Sequence, residues 1–307
     1  MQGVGTTKEF KGKFMINREY KDRLFSFIFG SPERKDWTLS LYNAVNASSY
    51  TNPEDIEIVT IDDVLYMSMK NDLAFLITDI ANMYEQQSTY NPNMPMRKLM
   101  YAARLYDRYI HMNKLHIYGT KQVYLPVPKL VTFYNGEENR EDSILELKDA
   151  FKTKDGQPID IESDIQVKVR MININYGKNK ELMSMCRPLT EYAWFISEIR
   201  KNNKSMDIEA AVDRALDAMS EDFSLKKLLI ANKAEVKQMC ITEYNEAETM
   251  EQFREEGREE ERLDSIRNLA ELSQNLGQTY EKTRDMILKK YPNISLSHID
   301  SILDEIF

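Results

Sequence analysis

Histidine and cysteine are scarce: 307 residues hold three of the first and two of the second. Cys186 and Cys240 are far apart and the histidines are scattered, which excludes a disulfide framework and a zinc site of the usual kind. Two isolated cysteines suit a reducing cytoplasm, and each reads as a small buried apolar residue. No apolar run reaches the length of a membrane-crossing helix. The opening residues, MQGVGTTKEFKGKFM, have neither an apolar core nor a small-residue cleavage site, so no secretory signal is expected.

What is present is enough for a large core. Apolar residues make up 42% and charged ones 30%, too apolar for wholesale disorder and long enough for one large domain or two smaller ones. A net charge of −9 argues at first against nucleic acid. Its distribution weakens that argument. Residues 1–130 carry 16 Lys+Arg against 14 Asp+Glu, and residues 131–307 carry 25 against 36. Within the second part, EYNEAETMEQFREEGREEERLD (243–264) has ten acids and three bases. Such a run is usually the solvated face of a helix.

Residues 1–14 lack periodicity and are expected to be a loose tail. Leu24, Phe25, Ile28 and Phe29 fall at helical spacing before Gly30 and Pro32. DWTLSLYNAVNASS reads as a second short helix. Strands are expected within 56–69, over 72–77 and 80–87, over 129–136 and within 164–179, with a helix over 96–112. After about residue 189 the chain reads as helical throughout: 189–202, 207–219, 224–262 and two shorter pieces, the last capped by Ser295 or Ser297. The order helix, strand, strand, strand, helix, strand suggests an α/β fold: a mixed sheet flanked by helices, with an all-helical C-terminal portion.

The stretch NDLAFLITDIANMYEQQST (71–89) places acids on two successive strands. If 72–77 and 80–87 form a hairpin centred between Thr78 and Asp79, residues whose numbers sum to 157 lie opposite one another. Asp72 then faces Glu85, with β-carbons roughly 4.5–5.5 Å apart. Opposed carboxylates repel unless a cation or shared proton lies between them, and a hard divalent ion such as Mg²⁺ is the simplest solution. Gln87 projects toward the same place. The same pattern also suits two acids pointing into water at a strand end, and a slip of one residue would put one acid on the other face.

An Asp on one strand followed by Glu-x-Gln on the next, inside an αβββαβ core, resembles the restriction-endonuclease-like PD-(D/E)XK nuclease superfamily. More closely, NDLAFLI…YEQQSTYNPNMPMRKLMY, YKDRLFSFIFG, LYNAVNASSYTNPEDIEI, FYNG, NINYGKN and EYNEAE resemble the Rpn family of recombination-promoting nucleases, often labelled transposases. The likeness spans roughly residues 15–250. It implies a metal-dependent DNA endonuclease linked to recombination or mobile DNA, using Mg²⁺, or Mn²⁺ in its place. It assigns Asp72 and Glu85 to the metal. Gln87 stands where many relatives carry Lys, and Asp22 matches an acid on the first helix whose role is an additional metal or water ligand. Asn71 stands where the superfamily name has Pro.

Gln87 can orient a water but supplies no positive charge. In the hairpin arithmetic its partner is Lys70, which either supplies the missing ammonium or is a solvated lysine before the strand. On the helix that follows, Arg97, Tyr101, Arg104 and Arg108 share one face, while Leu99, Ala102, Ala103, Tyr106 and Ile110 are placed to pack on the sheet. A basic face with an aromatic would suit DNA phosphates. A charged outer face is also what any surface helix shows.

The expected organisation is a tail (1–14), a nuclease-like domain with a helical extension (15–245) and an acidic helical segment (246–307). The last could dimerise the protein or fold back on the core. The competing expectation is a nuclease fold without catalysis, serving as a DNA-binding or protein-interaction module.

Overall fold

The computed structural model describes residues 24–59, 73–153, 155–159, 161–292 and 294–307. Asp22, Lys70 and Asp72, the tail 1–14 and most of the strand expected within 56–69 lie outside the described residues. The chain divides into two compact units, residues 1–243 and 244–307. No helix among the described residues is long and apolar enough to cross a membrane.

In the first unit, α1 (Leu24–Phe29) and α2 (Lys35–Asn46) precede three strands, β1 (Ile56–Ile58), β2 (Leu73–Ile77) and β3 (Ile80–Gln87). Then follow α3 (Met94–Met112), β4 (Val127–Tyr134), β5 (Ser143–Glu146) and β6 (Lys168–Asn173). The six strands form one mixed sheet in the order β1-β2-β3-β4-β6-β5. β1, β2 and β3 are antiparallel neighbours, β3, β4 and β6 run parallel, and β5 closes the far edge antiparallel to β6.

The β2–β3 register is the one whose paired residue numbers sum to 157: Leu73 faces Tyr84, Ala74 faces Met83 and Leu76 faces Ala81. The connection is two residues, Thr78-Asp79, with Thr78 in the left-handed region at φ 52°. Register is held in spite of this unfavoured turn because the alternate residues of β3 have different partners. Tyr84 enters an aromatic core with Phe25, Phe75 and Phe133, backed by α1, α2 and α5 (Arg187–Asn203). Ala81 and Met83 point the other way, into a cluster with Tyr101, Ala102 and Leu105 of α3. The sheet is thus sandwiched, and each face of β3 is buried against a different layer.

The strand expected within 164–179 is β6, and it stops at Asn173, because Asn173 and Asn179 turn their side chains onto backbone groups and Asp142, and Asn179 is left-handed at φ 41°. Three features depart from the sequence reading. β5 and α4 (Lys180–Met185) are too short to show periodicity. The helix expected over 224–262 is two, α7 (Ser224–Ala231) and α8 (Lys233–Asn275), separated at Asn232, whose amide donates to the Leu228 carbonyl at 2.9 Å. Between α5 and α7 lies α6 (Ile208–Ala218). Cys186 and Cys240 are buried free thiols.

The second unit comprises the end of α8 with α9 (Tyr280–Lys290) and α10 (Leu296–Ile306). Ile266, Ala270, Ile287, Ile299 and Leu303 form its core. Ser295 caps α10, accepting from the His298 backbone N–H. Arg284 holds Asp300 through both guanidinium and carboxylate forks, with Nε at 2.5 Å and Nη2 at 3.1 Å.

Candidate functional site

Glu85 lies near the C-terminal end of β3, on the face that α3 covers. Its parallel register partner on β4 is Thr132, and two residues on, Gln87 pairs with Tyr134. α3 reaches this end of the sheet quickly because Asn91, Asn93 and Pro95 turn the chain and start the helix: the Asn91 side chain accepts from Asn93 N–H at 2.9 Å, and Pro95 occupies the first turn.

The buried stripe of α3 is Met94, Lys98, Tyr101, Ala102 and Leu105. That spacing is helical, and it corrects the expected face assignment. Tyr101, expected on an outer basic face, is a core residue, whereas Ala103 is exposed and Tyr106 only partly buried. The stripe was obscured by Lys98, a charge in the middle of it, which reads as solvated in sequence. Arg97, Arg104 and Arg108 are each half-buried beside the stripe. One guanidinium nitrogen of Arg104, Nη1, is sealed from solvent without a hydrogen bond among the described residues.

The two oxygens of Glu85 differ sharply. Oε1 accepts from Arg97 Nη2 at 2.6 Å and from Gln87 Nε2 at 3.1 Å. Arg97 Nη2 also donates to the Tyr101 hydroxyl at 3.1 Å, so the core tyrosine orients the arginine. Oε2 has no hydrogen bond among the described residues and lies 3.4 Å from Lys98 Nζ, which itself donates to the Met83 carbonyl at 3.1 Å. Neither Glu85 nor Lys98 has any exposed side-chain surface. The Thr132 hydroxyl, on the residue opposite Glu85, is likewise buried without a hydrogen bond.

A buried carboxylate with an unused oxygen is unusual, because desolvation is costly unless each lone pair finds a donor. A second deeply buried acid among the described residues shows the ordinary outcome. Glu191 of α5 accepts from Arg187 Nε at 2.7 Å, from the backbone N–H groups of Ser224 and Leu225 at 3.0 and 2.8 Å, and from the Ser224 hydroxyl at 2.8 Å. It serves as the cap of α7, and both oxygens are used. Glu85 Oε2 and Thr132 Oγ1 are oxygen donors of the type that a hard divalent ion prefers. Among the described residues no group of three or more His, Cys, Asp or Glu is placed to hold a metal, so a site built from several carboxylates would need Asp72 or another residue outside them.

The structure therefore brings together Glu85, Gln87 and Arg97 from the sequence reading, and adds Lys98 and Thr132. Thr132 had a signal in sequence as the polar residue set among Leu130, Val131 and Phe133. Lys98 had one in its helical spacing from Met94, Tyr101 and Leu105. Comparison with protein-family models, with curated proteins and with solved structures finds no match to the chain.

Proposed function

We propose that this protein is a metal-dependent DNA endonuclease hydrolysing phosphodiester bonds, acting in recombination or on mobile DNA as its resemblance to the Rpn nucleases suggests. The observation that carries the reading is Glu85: a fully buried carboxylate with one oxygen fixed and the other unbonded beside a buried ammonium. In this reading Asp72 and Glu85 would hold Mg²⁺ or Mn²⁺, with Asp22 as a further ligand to metal or water. Bound there, a divalent ion would lower the pKa of an attacking water and neutralise charge developing on the phosphoryl oxygens.

The chain's own groups divide the remaining work. Arg97 and Gln87 hold Oε1 and so fix the carboxylate rotamer, leaving Oε2 available. Gln87 cannot supply charge, and in this reading Lys98 would take that part, since its ammonium lies 3.4 Å from Oε2. Lys70 is the competing source of an ammonium.

The test is cleavage of supercoiled plasmid with Mg²⁺, Mn²⁺, Ca²⁺ or EDTA, comparing wild type with Asp72→Ala and Glu85→Ala. Cutting that needs Mg²⁺ or Mn²⁺ and disappears in both variants supports the reading. A second reading has one observation in its favour: Arg97 and Lys98 already balance the charge of Glu85, as in a purely structural buried pair. In that case the fold is a DNA-binding or protein-interaction module, and well-folded wild type cuts neither duplex nor single-stranded DNA.

A further inference from the structure

The chain from Arg108 to Gly136 contains no acidic residue, in a protein whose net charge is −9. Arg108, Lys114, Lys121 and Lys129 lie in it, with two of the three histidines, His111 and His116. This stretch is the end of α3, the loop 113–126, β4 and the two residues after it. Nearly all of the loop is exposed, apart from Leu115, Val123 and Pro126. Its two tyrosines are extreme: Tyr118 is 97% exposed and Tyr124 81%, and no large apolar side chain among the described residues is more exposed.

Ordinary packing does not explain two solvated aromatics in one loop. The loop is nevertheless well anchored. The Tyr106 hydroxyl donates to the Pro126 carbonyl at 2.7 Å, Val127 N–H donates to the Asp79 carbonyl at 2.7 Å, and a turn from Gly119 N–H to the His116 carbonyl carries Tyr118. Pro126 and Pro128 stiffen its exit. A preformed loop loses little entropy when a ligand orders its tips.

We infer that the α3–β4 loop is a binding platform for single-stranded DNA, with unpaired bases stacking on Tyr118 and Tyr124 and phosphates neutralised by Lys114, Lys121 and Lys129. Exposed aromatic rings at a loop tip stack on bases that are not already paired, and Lys121 between them with Lys114 and Lys129 on either side suits a phosphodiester backbone. The basic strip runs along one length of chain, from Arg108 to Lys129. It also leads toward Glu85: Arg108, Arg104 and Arg97 follow one another along α3, whose span from residue 97 to residue 112 is about 22 Å. A strand held at the loop can therefore follow α3 toward the end of the sheet that holds Glu85, so the inference rests on the nuclease reading of Glu85 and names its substrate as DNA with an unpaired segment. A lipid surface, the other anionic partner for lysines and exposed apolar residues, would not account for this continuity.

The experiment is fluorescence anisotropy with a labelled oligothymidine strand and a duplex of equal length, both in EDTA so that no cleavage occurs. Tyr118→Ala/Tyr124→Ala is expected to weaken single-strand binding at least tenfold with little effect on the duplex. Lys114→Gln/Lys121→Gln/Lys129→Gln is expected to lower the slope of log affinity against log salt by about 2. Wild-type affinity in both variants overturns the inference, as does a wild type that ignores the oligonucleotide. Binding to phosphatidylserine vesicles in place of the oligonucleotide, lost in the tyrosine variant, overturns it in favour of a membrane surface. Loop-dependent binding without plasmid cutting leaves the platform standing and removes the nuclease; cutting that the loop variants leave unchanged does the reverse.

Discussion

Lys98 Nζ lies 3.4 Å from Glu85 Oε2, and neither side chain has surface in contact with solvent. The pair joins the middle of the sheet to the second turn of α3. Removing Lys98 takes the ammonium from beside Oε2 in a dry environment while Arg97 still holds Oε1, so the cost should lie toward the lower end of the roughly 3–5 kcal/mol typical of a broken buried pair. Lys98→Met is therefore expected to lower unfolding stability by an amount of that order in urea titration. Glu85→Gln/Lys98→Met should recover part of the loss. A Lys98→Met protein within about 1 kcal/mol of wild type would show that the pair contributes nothing to the fold.

The same ammonium is expected to matter for hydrolysis. Removing a donor aimed at developing negative charge costs about 10²–10³ in rate in other enzymes. Lys98→Met, assayed at a temperature where it remains folded, should lose Mg²⁺-dependent plasmid cleavage by that order, and Lys98→Arg should retain more of it. Lys70→Met is expected to cut at nearly the wild-type rate. The opposite pattern would move the ammonium to the strand preceding Leu73.

Gly136 is required by a close approach. A β-carbon there would stand 2.1 Å from the Ser88 carbonyl oxygen and 2.5 Å from the Tyr134 hydroxyl. Backbone on one side and a buried ring on the other leave nowhere for it to go. Gly136→Ala should lower stability by about 2 kcal/mol or more, by the ordinary cost of overpacking. Asn135 is in the same turn, between Gln86 and Tyr192, so the variant should also disturb the even-numbered face of β3. Unchanged thermal unfolding would refute this.

Alkaline pH should weaken the fold. Burial pushes the Cys186 thiol up from 9.0 to about 11, against hydrogen bonds involving Ser40 and Leu189 that lower it. Burial also raises the Tyr84 phenol, against the hydrogen bond from Asn46. Both groups keep their protons more tightly folded than unfolded. The stability they contribute is complete below the unfolded-state values and is lost as pH rises through the folded ones. For Cys186 the window is pH 9 to about 11, and two units correspond to about 3 kcal/mol. Denaturation midpoints should hold steady from pH 7 to about 8.5 and fall above 9. Cys186→Ala should remove the earlier part of that fall.

The unit of residues 244–307 has its own small core, and its loss should be local. Leu303 is buried against the Ile266, Ile287 and Ile299 cluster. Leu303→Ala should cost about 2–5 kcal/mol in that unit, while the near-ultraviolet signal of Trp194, which belongs to the first unit, stays native. One cooperative transition for both would show that they do not unfold independently.

Much of the fold could be read from the residues because the signals were local. The apolar spacing of Leu24 to Phe29 and the alternation around Ala74 and Met83 each act within a few residues. The register that opposes Ala74 to Met83 followed from the hairpin alone. What escaped notice was settled over longer distances. Ser143–Glu146 becomes a strand only because β6 is beside it. Lys98 looks like any exposed helical lysine until Glu85, thirteen positions earlier, is set under it. Tyr101 was assigned to the wrong side of the helix for the same reason, since a stripe containing a buried charge does not look apolar.

β3 is occupied on both sides, its odd residues forming the Glu85 centre and its even ones the aromatic core. This makes the strand intolerant of changes in length. One residue gained or lost between Thr78 and Glu85 would leave composition and charge almost untouched. It would nevertheless carry Tyr84 toward Lys98 and drive Glu85 among phenyl rings. Lineages can exchange side chains along this strand one at a time, but they cannot shift its reading frame against its neighbours by one residue.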